Sequence, residues 1–520
     1  MKANLTWILE TLTPLQIGSG ADLFPDLDFV SVDGRPFVVD QNATFDALAV
    51  SDISLKNLGK LPSIVEDVHR QFGEYFGYVL TPLSPLPQAN KEIREQVKDS
   101  FARPYLPGSS LKGAIRTALF AEFLRNTPKQ KWEKKLPLKK GGKANVGPKI
   151  AALKLTQACF SANAPWKKEP NYDTMRLWKI GDANFAQNDL RLADVRFLNI
   201  THNGLQWKDF SGKGNLHDWK QSQGVLAEAL QPGATTLFDV TIDDFLLDDP
   251  NAKRTLKWQN VPRNFAELRE ILNAHALFRI KREGEFYQKH GAAASGIYAD
   301  LWQKMDKDKD AIYLQLGWGS GWRGMTGDWM DEPTENEMRE LYRLRANNPE
   351  FPKTRRLVVN ENGPVLPFGW VRLWSAEEYP ELYRETEAVS REKKLQHSEN
   401  LRRIRQIITN KKEQTVQAQK QQEEERKQAE DQAEQERLEN EQRLQRLNNM
   451  SPLERLLEEL REAPDYKGQF GKLDEFEGEN KRRLAEFFRK RFVEDGDWEV
   501  KPAKKKQFQK IQKLKQILEK

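Results

Sequence analysis

The sequence predicts an α+β core followed by a long charged helix and a small C-terminal helical region. Three observations carry this. Residues 1–380 are rich in glycine, proline and aromatics, and mix strand-like alternation with helical spacing. Residues 385–449 are dominated by Glu, Gln, Arg and Lys, without glycine or proline. Residues 450–520 return to short amphipathic patterns and end in lysines.

Within the first region, Leu5 to Leu15 alternates as a strand does, and Gly18-Ser19-Gly20 is expected to end it. Phe29 to Val39 alternates around Asp33-Gly34, a hairpin signal. From Ser110 to Leu124 the spacing turns helical, with Leu111, Ile115, Leu119 and Leu124 near one face. Further strands are predicted at Leu192–Ile200, Thr235–Ile242, Ala311–Leu316 and Trp370–Trp374. The segment Asn126–Lys149, lysine-rich around Gly141-Gly142, reads as a flexible basic loop that either contacts phosphate or is merely solvated.

The charged region has an apolar stripe at Leu401, Ile404 and Ile408 and another at Leu438, Leu444 and Leu447, with almost no apolar repeat between them. No strong coiled coil fits, and an exposed helix held by i,i+4 charge pairs, or partial disorder, is expected. The last region opens on Ser451-Pro452-Leu453-Glu454, a capping box with proline at the first helical position. Three helices are expected, the first with Leu453, Leu456, Leu457 and Leu460 on one side, the second including Leu484, Phe487, Phe488 and Phe492, and the third including Phe508, Ile511, Leu514 and Leu518; they either form a small bundle or dock on the core.

The chain has 520 residues, 38% hydrophobic and 31% charged, with a formal net charge of +6 and a pI near 8.9. That balance permits nucleic-acid binding without demanding it. No apolar run reaches the ~18 residues of a membrane span, and the N-terminus reads as a strand, not a signal peptide, so a cytoplasmic location is expected. One cysteine, Cys159, excludes an internal disulfide and reads as a small buried hydrophobe. Six histidines lack metal-ligand spacing, so neither metal nor cofactor is expected.

Three glycine-containing segments carry the candidate chemistry: Thr13–Gly20, Pro104–Arg116 and Gly317–Gly327. Glycine lets a backbone approach a ligand closely. Gly108-Ser109-Ser110 falls at a helix start, where free N–H groups and the helix dipole attract anions. Lys112 and Arg116, four residues apart, share a face of that helix. The third segment adds Gly319, Ser320, Gly321, Arg323 and two tryptophans able to stack on bases. Tight turns remain the alternative for each segment.

The phrase Tyr105-Leu106-Pro107-Gly108-Ser109-Ser110-Leu111-Lys112-Gly113-Ala114-Ile115-Arg116 resembles the hallmark segment of the RAMP superfamily of CRISPR-associated proteins. Ile17-Gly18-Ser19-Gly20 and the Gly317–Gly327 loop are similar to that family's first strand end and glycine-rich loop. Asp26-Leu27-Asp28-Phe29-Val30 and Leu366-Pro367-Phe368-Gly369-Trp370 look most like a type III-A subunit that caps the 3′ side of the guide RNA. The resemblance covers residues 1–380. It implies a ferredoxin-like, RRM-like core with insertions. It also implies guide RNA (crRNA) held at Gly18, Ser19, Gly20, Gly108, Ser109, Ser110, Lys112, Arg116, Gly319, Ser320, Gly321 and Arg323. The implied partners are the other type III effector subunits, above all a neighbouring backbone RAMP subunit, and target RNA through the complex. The implied role is non-catalytic support of guide maturation. The alternative is a RAMP ribonuclease cutting guide precursor or target RNA, with Asp26 and Asp28 as candidate catalytic residues beside their structural reading as turn caps.

Overall fold

The computed structural model describes residues 3–47, 60–84, 91–134, 148–160, 172–211, 214–256, 262–343, 351–499 and 505–519. The chain divides into two compact units, Met1–Lys412 and Glu413–Lys520.

In the first unit the strands and helices that matter are, in order, β1 (Ala3–Thr11), β2 (Gly18–Leu23), β3 (Phe29–Val32), β4 (Arg35–Val39), β5 (Ile93–Gln96), α1 (Gly108–Arg125) and β6 (Trp178–Ile180). There follow β7 (Leu190–Thr201), β8 (Gly224–Leu230), β9 (Thr235–Ile242), α2 (Phe265–Lys289), β10 (Ile312–Gln315), β11 (Thr354–Asn360) and β12 (Trp370–Ser375). One antiparallel sheet has the order β10–β12–β1–β9–β6. Its central strand β1 is buried on both faces. Trp7 and Leu9 enter one cluster with Leu111 and Ile115 of α1, and Ile8 enters another with Ala276 and Ile280 of α2. Trp7 meets Phe265 edge-on at 4.9 Å, which locks the start of α2 to the sheet. The predicted apolar face of α1 is the one it buries: Leu111, Ile115, Leu119 and Leu124 are all at most 7% exposed.

A second, nine-stranded sheet contains the run β7–β8–β5–β2, with β11 also paired to β7. Ala193, Val195, Ala227 and Ala229 are buried there with Val358 and Phe368. Such small side chains leave room for a large ring above them. The hairpin β3–β4 turns at Asp33 (φ 49°) and Gly34 (φ 73°), the two positive φ values that a type I′ turn needs.

Three expectations are corrected. The first strand stops at Thr11, where Thr11 N–H leaves the ladder for Ala234 O, and Gly18–Gly20 opens β2 instead of closing β1. A register shift between Gly18 and Asp22 accommodates the glycines as a bulge. The basic loop is shorter than predicted: Lys129–Glu133 is a helical turn burying Trp132, and a further helix spans Pro148–Phe160. Gly141-Gly142 lies outside the described residues.

The charged region is one helix, α3 (Pro380–Asn449). Its first turns belong to the first unit. Ile404 is buried against Ala43, Ala47, Val68 and Phe76, Lys393 pairs with Asp189 at 2.7 Å, and Arg403 pairs with Glu74 at 3.1 Å. Residues 416–446 are all exposed. In the second unit α4 (Pro452–Glu462), α5 (Gly478–Glu494) and α6 (Lys505–Leu518) enclose Leu453, Leu460, Phe488, Phe492 and Leu514. The capping box forms as predicted, Ser451 Oγ accepting from Glu454 N–H and Glu454 Oε2 accepting from Ser451 N–H.

Candidate nucleic-acid interface

The loop after β10 is shaped by its glycines. Gly317 (φ 81°) passes so close to Gln16 that a Cβ would lie 2.7 Å from its carbonyl oxygen. At Gly319 (φ 102°) a Cβ would lie 2.6 Å from Phe368. Between them Trp318 donates its N–H to Gln16 O at 2.8 Å and lays its ring against the small-residue face of the second sheet. Two guanidiniums flank that ring, Arg94 of β5 at 4.7 Å and Arg356 of β11 at 5.1 Å from the centroid.

Neither arginine forms an ion pair among the described residues, and the Nε of each is buried without a hydrogen-bond partner. Asp22 stands opposite Arg94 in register yet forms no ion pair with it. Burial, and then the like charge of Arg94, hold the Arg356 guanidinium below its ordinary range. Gly18 lies beside Arg94, a Cβ there being 3.7 Å from Nη2. Ser19 Oγ donates to Glu95 Oε2 at 2.7 Å and accepts from Ala21 N–H, while Gly20 (φ 97°) is open to solvent. The first and third glycine segments therefore meet at one place, with two uncompensated cations and an aromatic ring.

The second segment is built differently. Gly108 is buried against the backbone of β6, where a Cβ would collide with Ile180 O. Its N–H donates to Asp182 Oδ1 at 2.7 Å, so a carboxylate already sits at the head of α1. Ser109 is exposed and Ser110 half-buried. Lys112 is half-buried too, its pKa lowered by burial and by the nearby Arg116 and Lys179 charges, against the opposing pull of Asp173. Arg116 is paired with Asp173 at 2.8 Å and stacked 3.9 Å over Phe160. Arg323 is similarly engaged, with Glu335 at 3.3 Å and Asp328 at 3.8 Å, and burial pulls its guanidinium down. Ser320 Oγ donates to Gly317 O, and a Cβ at Gly321 (φ 74°) would meet nothing within 4 Å. The end of the loop returns to α1, where a Cβ at Gly327 would lie 3.1 Å from Ala121.

Sequence reasoning thus singled out Arg116 and Arg323, which are held by carboxylates, and did not single out Arg94 or Arg356, which form no ion pair among the described residues. A signal for Arg356 was present: in a strand, Arg355 and Arg356 must face opposite ways. Arg355 goes to Glu283 at 2.8 Å and Arg356 to Trp318. Asp26 and Asp28 shape one turn. Asp26 (φ 59°) donates its N–H to Phe29 O, and Asp28 Oδ2 accepts from Phe24 N–H at 2.8 Å. Among the described residues no three His, Cys, Asp or Glu side chains are grouped to hold a metal ion, and no helix is long and apolar enough to cross a membrane. Burial pushes the Cys159 thiol up to about 12, far from a reactive thiolate.

A family model of the RAMP superfamily matches residues 8–323. The CRISPR system Cms protein Csm5 of Methanocaldococcus jannaschii is 23% identical over 403 residues, covering 71% of this chain and 88% of that protein. The protein of the same name from Streptococcus thermophilus is 27% identical over 143 residues, 23% of this chain and 38% of the relative. Among solved structures, a chain of the Csm–crRNA–target RNA ternary complex of a type III-A CRISPR–Cas system matches 71% of this chain and 100% of its own length, with a TM-score of 0.50 and 22% identity. With the family model spanning more than half its length, this chain belongs to the RAMP superfamily, and it resembles that superfamily's Csm5 proteins.

Proposed function

We propose that the chain is a guide-RNA (crRNA) binding subunit of a type III CRISPR effector complex, seated at the 3′ side of the guide, where it supports guide maturation without cutting RNA. The observation that carries this is the unpaired Arg94 and Arg356 flanking Trp318 beside the Gly18–Gly20 and Gly317–Gly321 backbones. Cations for phosphates and a ring for a base are what a single strand requires. The names of the relatives, and a solved Csm complex holding crRNA and target RNA, support the same assignment and the neighbouring subunits as partners. The strand order β12–β1–β9–β6, with α1 and α2 as crossovers, supports a ferredoxin-like core.

The test is RNA binding by the full chain across a salt series. Arg94→Ala with Arg356→Ala should weaken binding about ten- to a hundredfold and reduce the salt slope by roughly 1.4, two single-strand phosphate contacts. Trp318→Ala should cost about 1–3 kcal/mol with the slope kept. An unchanged slope in a folded double variant would move the RNA path off this face. The same RNA should emerge uncut, and a discrete product lost in Asp26→Asn/Asp28→Asn would make the chain a ribonuclease.

A further inference from the structure

The glycine-rich loop also walls a cavity of about 300 Å³ on the side of the two helices. Its lining includes Ser110 and Thr117 of α1, His275 and Arg279 of α2, Gln315 of β10 and Ser320 of the loop, and no carboxylate. Arg279 is 4% exposed, makes no hydrogen bond among the described residues, and its Nε is buried without a partner. Its nearest ion-pair partner is Asp328, 4.0 Å away. That carboxylate already takes Arg282 at 2.8 Å and Arg323 at 3.8 Å, while Glu335 takes the same two arginines at 3.5 and 3.3 Å. Glu283, one turn along α2, is held by Arg355 through two hydrogen bonds. Three guanidiniums, the buried Arg279 and the partly buried Arg282 and Arg323, therefore share two carboxylates, and the one with the weakest pairing faces the cavity.

The neutral groups around Arg279 suit an oxyanion. His275 Nδ1 lies 2.6 Å from Arg125 Nη2, so it accepts there and its proton resides on Nε2. The Ser110 hydroxyl makes no hydrogen bond among the described residues, and Gln315 Oε1 is a buried acceptor without a donor. Thr117 and Ser320 direct their hydroxyl protons to Gly113 O and Gly317 O. We infer that this cavity binds a single phosphate group, with Arg279 as its charge partner and Ser110 and His275 as neutral donors. Donors drawn from two helices match a tetrahedral oxyanion better than a planar carboxylate. The cavity exceeds what phosphate alone fills, so the group arrives either free or as the phosphorylated end of an RNA. Only that second source rests on the RNA-binding reading.

Equilibrium dialysis of the full chain against labelled inorganic phosphate tests this. One equivalent should bind at millimolar phosphate or below. Arg279→Met should weaken binding about tenfold or more, and Ser110→Ala, at a half-buried position that leaves the arginine cluster intact, about threefold. Ser110→Ala keeps the test decisive if Arg279→Met fails to fold. Trp318→Ala should retain phosphate binding while weakening RNA binding as stated above, which separates failure of this site from failure of the RNA face. Competition between inorganic phosphate and a 3′-phosphorylated oligonucleotide, but not its 3′-hydroxyl counterpart, would assign the phosphate to the RNA end; its absence would assign it to a free phosphate compound. Binding below one equivalent, or binding untouched by both cavity variants, would overturn the proposal.

Discussion

His275, 5% exposed on α2, is held neutral by burial first and then by the charges of Arg279 and Arg125, which keep its pKa well below the usual imidazole range. In the unfolded chain the imidazole regains a pKa near 6.5. Below that pH the unfolded state binds the extra proton, so stability is complete above about pH 6.5 and falls as pH drops, by up to about 1.4 kcal/mol per pH unit. His275→Gln keeps an acceptor for Arg125 and removes the titration. Urea unfolding between about pH 7.5 and 5.5 should show a shallower decline in the variant than in the wild type, whereas parallel declines would place the pH sensitivity elsewhere. Nothing in the sequence around Asn273-Ala274-His275 distinguishes this histidine. Its environment comes from Arg125 on α1, a residue brought to it only by tertiary packing. The same limit explains Arg116 and Arg323. Their spacing was legible, but the carboxylates that hold them, Asp173 and Glu335, were not.

Elements with their own periodicity were read well. The hairpin, the buried face of α1, the capping box and the three C-terminal helices follow from local pattern, because turn chemistry and amphipathic spacing act within a few residues. What failed was context: Gly18–Gly20 looked like a terminator and is a bulged strand start, since its fate depends on pairing with β5 far along the chain. Helix α3 shows the opposite case, a long element with little tertiary support. Across residues 416–446 every side chain is exposed, and i,i+4 pairs such as Lys427 with Glu423 at 3.1 Å and Arg426 with Glu430 at 3.2 Å contribute about 0.3–0.5 kcal/mol each. Ala429→Pro should therefore disrupt the helix locally, by about 3 kcal/mol, without lowering the unfolding temperature of either compact unit. Circular dichroism would register the lost helix, and calorimetry showing a shifted transition in either unit would reveal packing against this stretch.

At the scale of the molecule, the two units have separate cores. The clusters around Trp7 and Trp370 lie in the first, and the cluster around Phe488 lies wholly in the second. Truncation after Lys412 removes the second core intact and leaves Arg94, Trp318, Arg356 and the Ile404 contact in place. The truncated chain should fold and bind RNA within about threefold of the full chain at moderate salt, because the proposed site and its supporting core lie wholly within the first unit. At low salt it should lose more, because the lysines of α6 add non-specific attraction. A collapse of affinity at moderate salt would make residues 413–520 part of the primary RNA site.

The Gly317–Gly327 loop is pinned on three sides, at Gln16 by Gly317 and Trp318, at Phe368 by Gly319, and at Ala121 by Gly327. A loop so held does not wait to be shaped by what arrives. Under the proposed function, an RNA strand would meet it already in its docking conformation, so encounter would be limited by diffusion and orientation, helped by the charges of Arg94 and Arg356, with no slow closing step. Differences between strands would then be expressed as dwell time, in how long a base stays on Trp318 and how long its phosphates stay beside the two arginines.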